Sequence, residues 1–478
     1  MADGLGSASD VLRPRIAVVG GGITGLAAAH RLTELAPQAQ VVLFDAGQRL
    51  GGVLGTERRD GFLVELSADN FITTTPWAID LCRRVGLGEQ LLPTRPSQRR
   101  AFVVRRGRLF PVPVGFHLLS ASRLWPLVSS PLLSWPGKFR LLCEPLVRRR
   151  REDGDESLAS FARRRLGREA FERLVQPLVA GIYTADAEKL SMAAALPRFV
   201  EMERTSGSLT RGAWRAPSGD DAAGSSGARY GLFVAPRDGM TSLVDALTNR
   251  LDQHGVRRGS AVIRLAADGQ RWSVATADET SSFDGAILAL PAYAAAGLVE
   301  PINPPLASEL QRIPYAGCAL VVAAYRREQM VRELAGFGFV VPAVERRNIL
   351  AASYSSSKFD GRAPHDRVLI RVFLGGAERP EQLDLDDNTL VEMAAAELTD
   401  LVGIEGPPEW SRVVRWPRSM PQYHVGHVQL VERIERLVAP SPTLALAGNA
   451  YHGVGVPNCI QSGEQAAERV LAALQASR

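Results

Sequence analysis

Between Arg15 and Asp45 the chain carries a pattern that few folds accommodate. An apolar run, Arg15-Ile16-Ala17-Val18-Val19, meets a glycine turn, Gly20-Gly21-Gly22-Ile23-Thr24-Gly25, and a helical stretch follows from Leu26 to Leu35. A second apolar run, Gln40 to Phe44, ends in Asp45. Gly20, Gly22 and Gly25 thus form GxGxxG after a strand and before a helix, with an acid twenty residues beyond the last glycine. That is the arrangement of a dinucleotide-binding βαβ unit. Gly20 permits the turn, Gly22 lets main-chain N–H groups approach a pyrophosphate, and Gly25 allows the helix to pack on the strand. Asp45 is placed to accept from ribose hydroxyls. In a chain with 44 glycines the triplet alone means little, so its placement carries the reading.

Arg49-Leu50-Gly51-Gly52, followed by Thr56, resembles the second phosphate-contacting segment of FAD oxidases; a plain turn is the alternative for Gly51 and Gly52. Far downstream, Thr443 to Asn449 reads as a buried strand ending at Gly448. Gly453-Val454-Gly455-Val456-Pro457-Asn458 then leads into an amphipathic helix, Ile460 to Leu474. The N-terminus of such a helix directs partial positive charge at an anion or a reduced isoalloxazine. One nucleotide domain assembled from both chain ends follows. Its candidate cofactor contacts are Gly20, Gly22, Gly25, Asp45, Arg49, Gly51, Gly52, Val262, Gly448, Asn449, Gly455 and Val456, and FAD is expected to be held non-covalently.

The expected fold class is α/β: a Rossmann-type FAD-binding domain, a mixed-sheet substrate domain and a helical subdomain. FAD-binding parts are expected over residues 14–90, 229–300 and 416–478, a helical subdomain over 91–210 and a substrate-binding sheet over 301–415. Gly239 to Leu251 reads as a helix, and Gly255 to Leu265, which contains Val262, and Asp284 to Leu290 read as strands. Ala319 to Tyr325, Phe337 to Val341 and Val368 to Leu374 are further strand-like runs, residues of about 91 to 205 read as mostly helical, and Ser206 to Arg229 reads as a mobile surface loop.

The net charge of +5 is small for 478 residues, and Lys stands only at 138, 189 and 358, so no nucleic-acid partner is implied. Cys82, Cys143, Cys318 and Cys459 are widely spaced and show no metal-ligand pattern, which fits a reducing cytoplasm. The first ten residues lack a secretory pattern. Leu109 to Gly137 carries Arg123 as its single formal charge among Phe110, Phe116, Trp125, Trp135 and five prolines, and Arg148 to Arg151 follow. This stretch suits either a membrane interface or a buried wall around an apolar substrate.

Five segments together resemble the oxygen-dependent protoporphyrinogen and coproporphyrinogen III oxidases. They are Val18 to Leu26; Gly181 to Asp186 with Leu190-Ser191-Met192; Gly336-Phe337-Gly338; Pro421-Gln422-Tyr423 with Gly426-His427; and Gly448-Asn449 with Gly453-Val454-Gly455. The resemblance covers almost the whole chain. It implies FAD between the nucleotide and substrate domains, and removal of six electrons and six protons from a porphyrinogen, with dioxygen as acceptor and hydrogen peroxide as product. It further implies that Gly181 presents main chain to the pyrrole nitrogens, that Phe359 stacks on a pyrrole ring, and that Val340 and Cys318 flank the macrocycle, core packing being their alternative. Family members often carry an Arg for a propionate where this chain has Ala101; Arg100 or Arg99 is the substitute. No catalytic side chain is singled out.

His424 and His427 form HxxH without an evident third ligand, so no metal is expected. The competing readings are a flavin amine oxidase or carotenoid-type desaturase, for which Lys358 is the candidate lysine, and a non-catalytic flavin-binding carrier at a membrane. The sequence leaves open the choice between porphyrinogens, a peripheral position on the inner face of the cell membrane, and a homodimer.

Overall fold

The computed structural model describes residues 13–150, 154–215 and 233–477. The two ends of the chain meet in a parallel sheet. Its five strands lie in the order Val256–Arg257, Gln40–Phe44, Arg15–Val19, Gly285–Leu288 and Leu444–Leu446, every neighbouring pair parallel. Ala17, Val18, Ala286 and Ile287 have no exposed surface, as expected of strands covered on both faces. Helix Ile23–Leu35 and the C-terminal helix Val456–Ala476 close one face around Leu26, Ile460 and Ala467. Helices Ala292–Val299, Pro304–Gln311 and His427–Val438 close the other.

A seven-stranded sheet forms the second layer. Its order is Trp410–Pro421, Tyr315–Arg326, Arg367–Gly375, Ala351–Tyr354, Gly338–Val340, Phe102–Arg105 and Arg108–Pro111. All pairings are antiparallel except that of Gly338–Val340 with Phe102–Arg105. Val321, Val372 and Leu374 point to one face, where they pack with Leu390, Ala394 and Leu398 of helix Asp387–Val402. The period of two then sends Leu320, Phe373 and Val340 to the opposite face.

Several expectations are corrected. Residues 91–121 hold one short 3-10 turn, Pro96–Gln98, and no α-helix: Phe102–Arg105 and Arg108–Pro111 form a hairpin that completes the second sheet, because the β-branched Val103 and Val104 are both fully buried there. The helical part begins at Trp125–Ser129. Gly255 to Leu265 is not one strand. It breaks at Gly259, whose φ of +65° ends the pairing with Gln40–Phe44, and resumes as Arg264–Asp268 in a separate antiparallel sheet. The stretch from Ser206 starts as helix end and then as helix Leu209–Arg215. The remainder of that loop, the first ten residues and Arg151 lie outside the described residues. The C-terminal helix begins at Val456, four residues before Ile460, with Pro457 in its first turn.

The helical region is anchored by a buried ion pair. Arg165 and Glu144 have no exposed side-chain surface. Arg165 donates to Glu144, to the Val147 carbonyl at 2.9 Å and to the Gly207 carbonyl at 3.1 Å. Glu144 accepts from Ser208 Oγ at 2.6 Å and from the Leu209 and Thr210 N–H groups at 3.0 and 3.2 Å, which fixes the start of helix Leu209–Arg215. Removing one charge leaves the other buried without its partner, so Glu144→Gln is expected to cost roughly 3–5 kcal/mol in urea unfolding. A loss below about 1 kcal/mol, the range of exposed pairs, would show that the pair is not an anchor.

Candidate functional site

Two glycine turns face each other beyond the C-terminal ends of the parallel strands, where open α/β sheets bind ligands. Gly20, at φ +103°, turns the chain out of the first strand, and its N–H donates to the Phe44 carbonyl at 2.8 Å. A Cβ on Gly25 would stand 1.8 Å from the Gly20 carbonyl oxygen, whereas one on Gly22 would meet nothing within 4 Å. Gly25 is therefore required by packing and Gly22 by the space it leaves open. The Gly51 N–H donates to the Gly21 carbonyl at 2.8 Å, and a Cβ on Gly52 would meet Gly22 Cα at 3.3 Å. The two loops thus brace one another around one opening.

Helix Ile23–Leu35 has Gly22 as its N-cap, with no side-chain acceptor and no acid in its first turn. Its free N–H groups and dipole are left for an anion. Asp45 accepts from the Gly21 N–H at 2.6 Å and the Gly47 N–H at 2.7 Å, which fixes its carboxylate while lone pairs remain for hydroxyl donors. Arg49 behaves otherwise than expected. Its guanidinium donates to the Gly52 carbonyl at 2.6 Å and to the Leu54 carbonyl, so it shapes the second loop instead of projecting into the opening. Val262, although its strand is broken, lines a cleft of about 460 Å³ with Gly20, Asp45 and Leu290.

The C-terminal segment adjoins this cleft at Leu290, whose carbonyl oxygen would lie 3.7 Å from a Cβ on Gly448. Gly448 and Gly453 take φ values of +136° and +146°, conformations that side chains rarely adopt. The Gly448 N–H donates to Ser462 Oγ at 3.0 Å, and the Asn449 side chain donates to the Ser419 carbonyl at 3.2 Å. Gly455 caps helix Val456–Ala476, again without a side-chain acceptor or a first-turn acid. A second positive helix end is therefore free for a group carrying negative charge. These two uncapped helix starts and the open space at Gly22 fit a dinucleotide with a phosphate bridge and an anionic ring end. Cys459, on the buried side of helix Val456–Ala476, has its thiol pushed up to about 11 by burial and stays protonated.

One face of the seven-stranded sheet packs in part on Phe62 and Val64 of strand Phe62–Glu65, through Leu320, Phe373 and Val414. One row across the strands reads Val340, Ala351, Phe373, Leu320 and Val414. Cys318 lies in the next row between Gly375 and Trp416, and burial pushes its thiol up to about 12. Gly181, exposed near the end of helix Gln176–Tyr183, is the helix residue that meets this face: a Cβ there would stand 3.5 Å from Val340 Cγ1. Val340 and Cys318 therefore lie on one face of the sheet, and Gly181 meets that face at Val340.

Phe359 and Arg100 do not join them. Phe359 is only 1% exposed, beneath the Arg362 guanidinium at 5.5 Å, so it is a core residue with no surface for a ring to stack on. Arg100 is exposed and its carbonyl accepts from the Phe337 N–H at 2.7 Å. Three strand residues, about 10 Å, separate it from Val103, which pairs with Val340. Arg99 donates to Thr94. Phe373, which the sequence did not single out, is the half-buried aromatic beside Ala351 and Leu320 in that row. The alternation of Arg371 and Phe373 with Val372 and Leu374 was the signal available for it.

Lys358 is committed elsewhere. Its ammonium lies 2.8 Å from Asp69 and 3.1 Å from Ser353 Oγ, and Arg371 reaches the same Asp69 oxygen at 3.0 Å. Burial would raise the Asp69 carboxyl, but the two cations outweigh it and hold it well below the usual range. His427 is likewise held, with Nε2 3.2 Å from the Tyr451 carbonyl, and burial pushes it down to about 4. No group of three or more ligating side chains able to hold a metal exists among the described residues.

Known proteins resemble this chain over nearly its whole length. Residues 23–471 match the family described as flavin containing amine oxidoreductase. The coproporphyrinogen III oxidase of Bacillus subtilis is 30% identical over 96% of this chain and 98% of its own. The protoporphyrinogen oxidase of Bos taurus is 33% identical over 95% of this chain and 98% of its own. A crystal structure from Exiguobacterium, assigned to the protoporphyrinogen oxidases, superposes with a TM-score of 0.85 at 28% identity, covering 98% of this chain and 100% of that one.

The space at Gly22 gives a direct test. In Gly22→Val the new side chain meets no protein atom near its Cβ but occupies the opening, so the variant should fold and lose FAD. Retention of FAD at the wild-type ratio of flavin absorbance to protein would show that the cofactor lies elsewhere.

Proposed function

This chain belongs to the flavin containing amine oxidoreductase family, and on that footing we propose that it oxidises a porphyrinogen to the porphyrin in haem biosynthesis. It is an FAD-dependent oxidoreductase, and FAD when bound supplies a two-electron acceptor for hydride. The overall reaction converts one porphyrinogen and three O2 into one porphyrin and three H2O2, which balances six electrons and six protons.

The observation that carries the reading is the apolar sheet face that Gly181 meets. Gly181 offers bare main chain against Val340, and the face beyond carries Ala351, Phe373 and Cys318. This surface excludes water and holds a flat apolar ring system by contact. The Cys318 thiol on it is no base near neutral pH, since burial takes it up to about 12. Aromatisation of a porphyrinogen loses N–H and methylene hydrogens without a strong base, whereas amine oxidation of the competing kind calls for a free lysine. Lys358 is engaged by Asp69. The Gly22 and Gly52 turns hold the phosphate bridge, Asp45 the ribose, and the Gly455 helix end balances negative charge on the ring.

Neither Arg99 nor Arg100 stands beside Gly181, so no propionate anchor from this pair sets the substrate choice. Both coproporphyrinogen III and protoporphyrinogen IX are therefore expected to be oxidised. Aerobic assays reading porphyrin fluorescence for each, corrected for autoxidation, check this; bound FAD with no turnover of either would favour a non-catalytic carrier.

A membrane surface is the proposed docking partner of the helical part. No helix among the described residues is long and apolar enough to cross a membrane. Trp135, Phe139 and Leu142 nevertheless lie at i, i+4 and i+7 of helix Trp135–Leu142, exposed by 74%, 70% and 41%. Trp125 and Leu146 flank them at 78% and 77%. Lys138 stands over the Trp135 ring at 4.6 Å, and Arg148 and Arg149 are exposed nearby. Aromatic bulk rimmed by cations suits an anionic interface. Co-sedimentation with vesicles containing anionic lipid is expected, falling at least tenfold in a Trp135→Ser/Phe139→Ser variant; equal binding by wild type and variant would remove this surface.

A further inference from the structure

One side chain ties the cofactor end of the cleft to the rest of the molecule. Tyr423, 1% exposed, follows strand Trp410–Pro421. Its hydroxyl donates to the Asn449 carbonyl at 2.5 Å and accepts from the Gly453 N–H at 2.8 Å. Both partners belong to the glycine loop between strand Leu444–Leu446 and helix Val456–Ala476. The Tyr423 ring stacks on His427 with centroids 4.0 Å apart and planes 15° apart. His427 in turn reaches the Tyr451 carbonyl of the same loop at 3.2 Å, a contact that needs its Nε2 proton.

The main chain around Tyr423 faces the other way. The Ser191 N–H donates to the Tyr423 carbonyl at 2.7 Å, and the Val425 N–H donates to the Lys189 carbonyl at 2.9 Å. The Gln422 side chain donates to the Tyr183 carbonyl at 3.3 Å, two residues from Gly181. The tyrosine thus stands between the Gly181–Ser191 segment and the loop that ends in the free helix N-terminus at Gly455.

We infer that Tyr423 is a positioning residue for the flavin, its hydroxyl fixing the Asn449–Gly453 loop so that the Gly455 helix end meets the ring. This rests on the assignment of residues 448–456 to the cofactor. Gly448 and Gly453, with φ near +140°, give the loop little restraint of their own, so a phenol bridging a carbonyl and an N–H across four residues joins the Ser462 and Ser419 contacts in setting its shape. Tyr423 touches neither substrate nor cofactor in this role and acts through the loop.

The test compares the full-length Tyr423→Phe variant with wild type and with Gly455→Val. Phenylalanine keeps the stack on His427 and removes both hydroxyl hydrogen bonds. Loss of two such bonds corresponds to a rise of roughly tenfold to a hundredfold in the dissociation constant of FAD, read by fluorescence titration of the apoprotein. The structured 450-nm flavin band should also broaden, and the rise in Tm on adding FAD should shrink while the apoprotein Tm stays near wild type. If Gly455→Val has lost FAD while Tyr423→Phe keeps the wild-type constant and spectrum, the inference fails alone. A Tyr423→Phe apoprotein with a depressed Tm and FAD affinity within threefold of wild type also overturns it, showing a packing role only. If Gly455→Val binds FAD normally, the loop assignment itself fails.

Discussion

Everything at the cofactor cleft depends on how closely two helices approach. Helix Ile23–Leu35 and helix Val456–Ala476 touch where a Cβ on Gly463 would lie 2.1 Å from the Thr24 carbonyl oxygen. Any side chain there would push the helices apart, and with them the two uncapped N-termini at Gly22 and Gly455. A ligand carrying negative charge at two separated points needs both ends aimed into one opening, since the dipole effect fades within the first turn. The contact also joins the first and last strands of the fold, which enclose Gly285–Leu288 between them.

The second constraint lies at the joint between the layers. Lys358 and Arg371 converge on Asp69, and Arg371 also donates to the Ser67 carbonyl. Arg362 donates to the Pro236 and Arg237 carbonyls. These cations belong to or adjoin the sheet side, and their acceptors to the segments that follow the strands Phe62–Glu65 and Phe233–Pro236. Buried charges hold geometry well because misplacing one leaves the other uncompensated. The sheet face that carries Val340, Phe373 and Cys318 is thereby held in a fixed position against the nucleotide layer. The same pairing takes Lys358 out of chemistry, which is why a residue that looks like an amine-oxidase lysine in the sequence is a latch in the fold.

In the proposed site, main chain meets the phosphate and pyrrole N–H groups, and apolar side chains meet the ring. A Cβ on Gly22 would meet nothing within 4 Å and one on Gly181 would stand 3.5 Å from Val340, so both positions leave main chain open. Tyr423 and His427 supply rigidity behind the C-terminal loop, where glycine freedom would otherwise leave the helix end loosely placed.

The phosphate turns, the acid at Asp45 and the late glycine loop were legible in the sequence because each depends on local main-chain geometry. A strand, a turn at φ +103° and a helix start lie within a few residues, and their glycines record the requirement directly. The union of both chain ends was legible for the same reason, as each carries its own strand and helix signal. What the sequence alone misplaced were side chains whose position depends on register and long-range burial. Phe359 looked like a stacking ring and is enclosed in the core, whereas Phe373 is half-buried in the row with Ala351 and Leu320. Arg100 stood in the right sequence neighbourhood but three residues from the row that matters. Residues 91–121 read as helix and became strands once a sheet edge was there to pair with them. Local spacing fixes where main chain can bend and bind; only the assembled sheets decide which side chains meet, because a one-residue change of register moves every side chain to the other face.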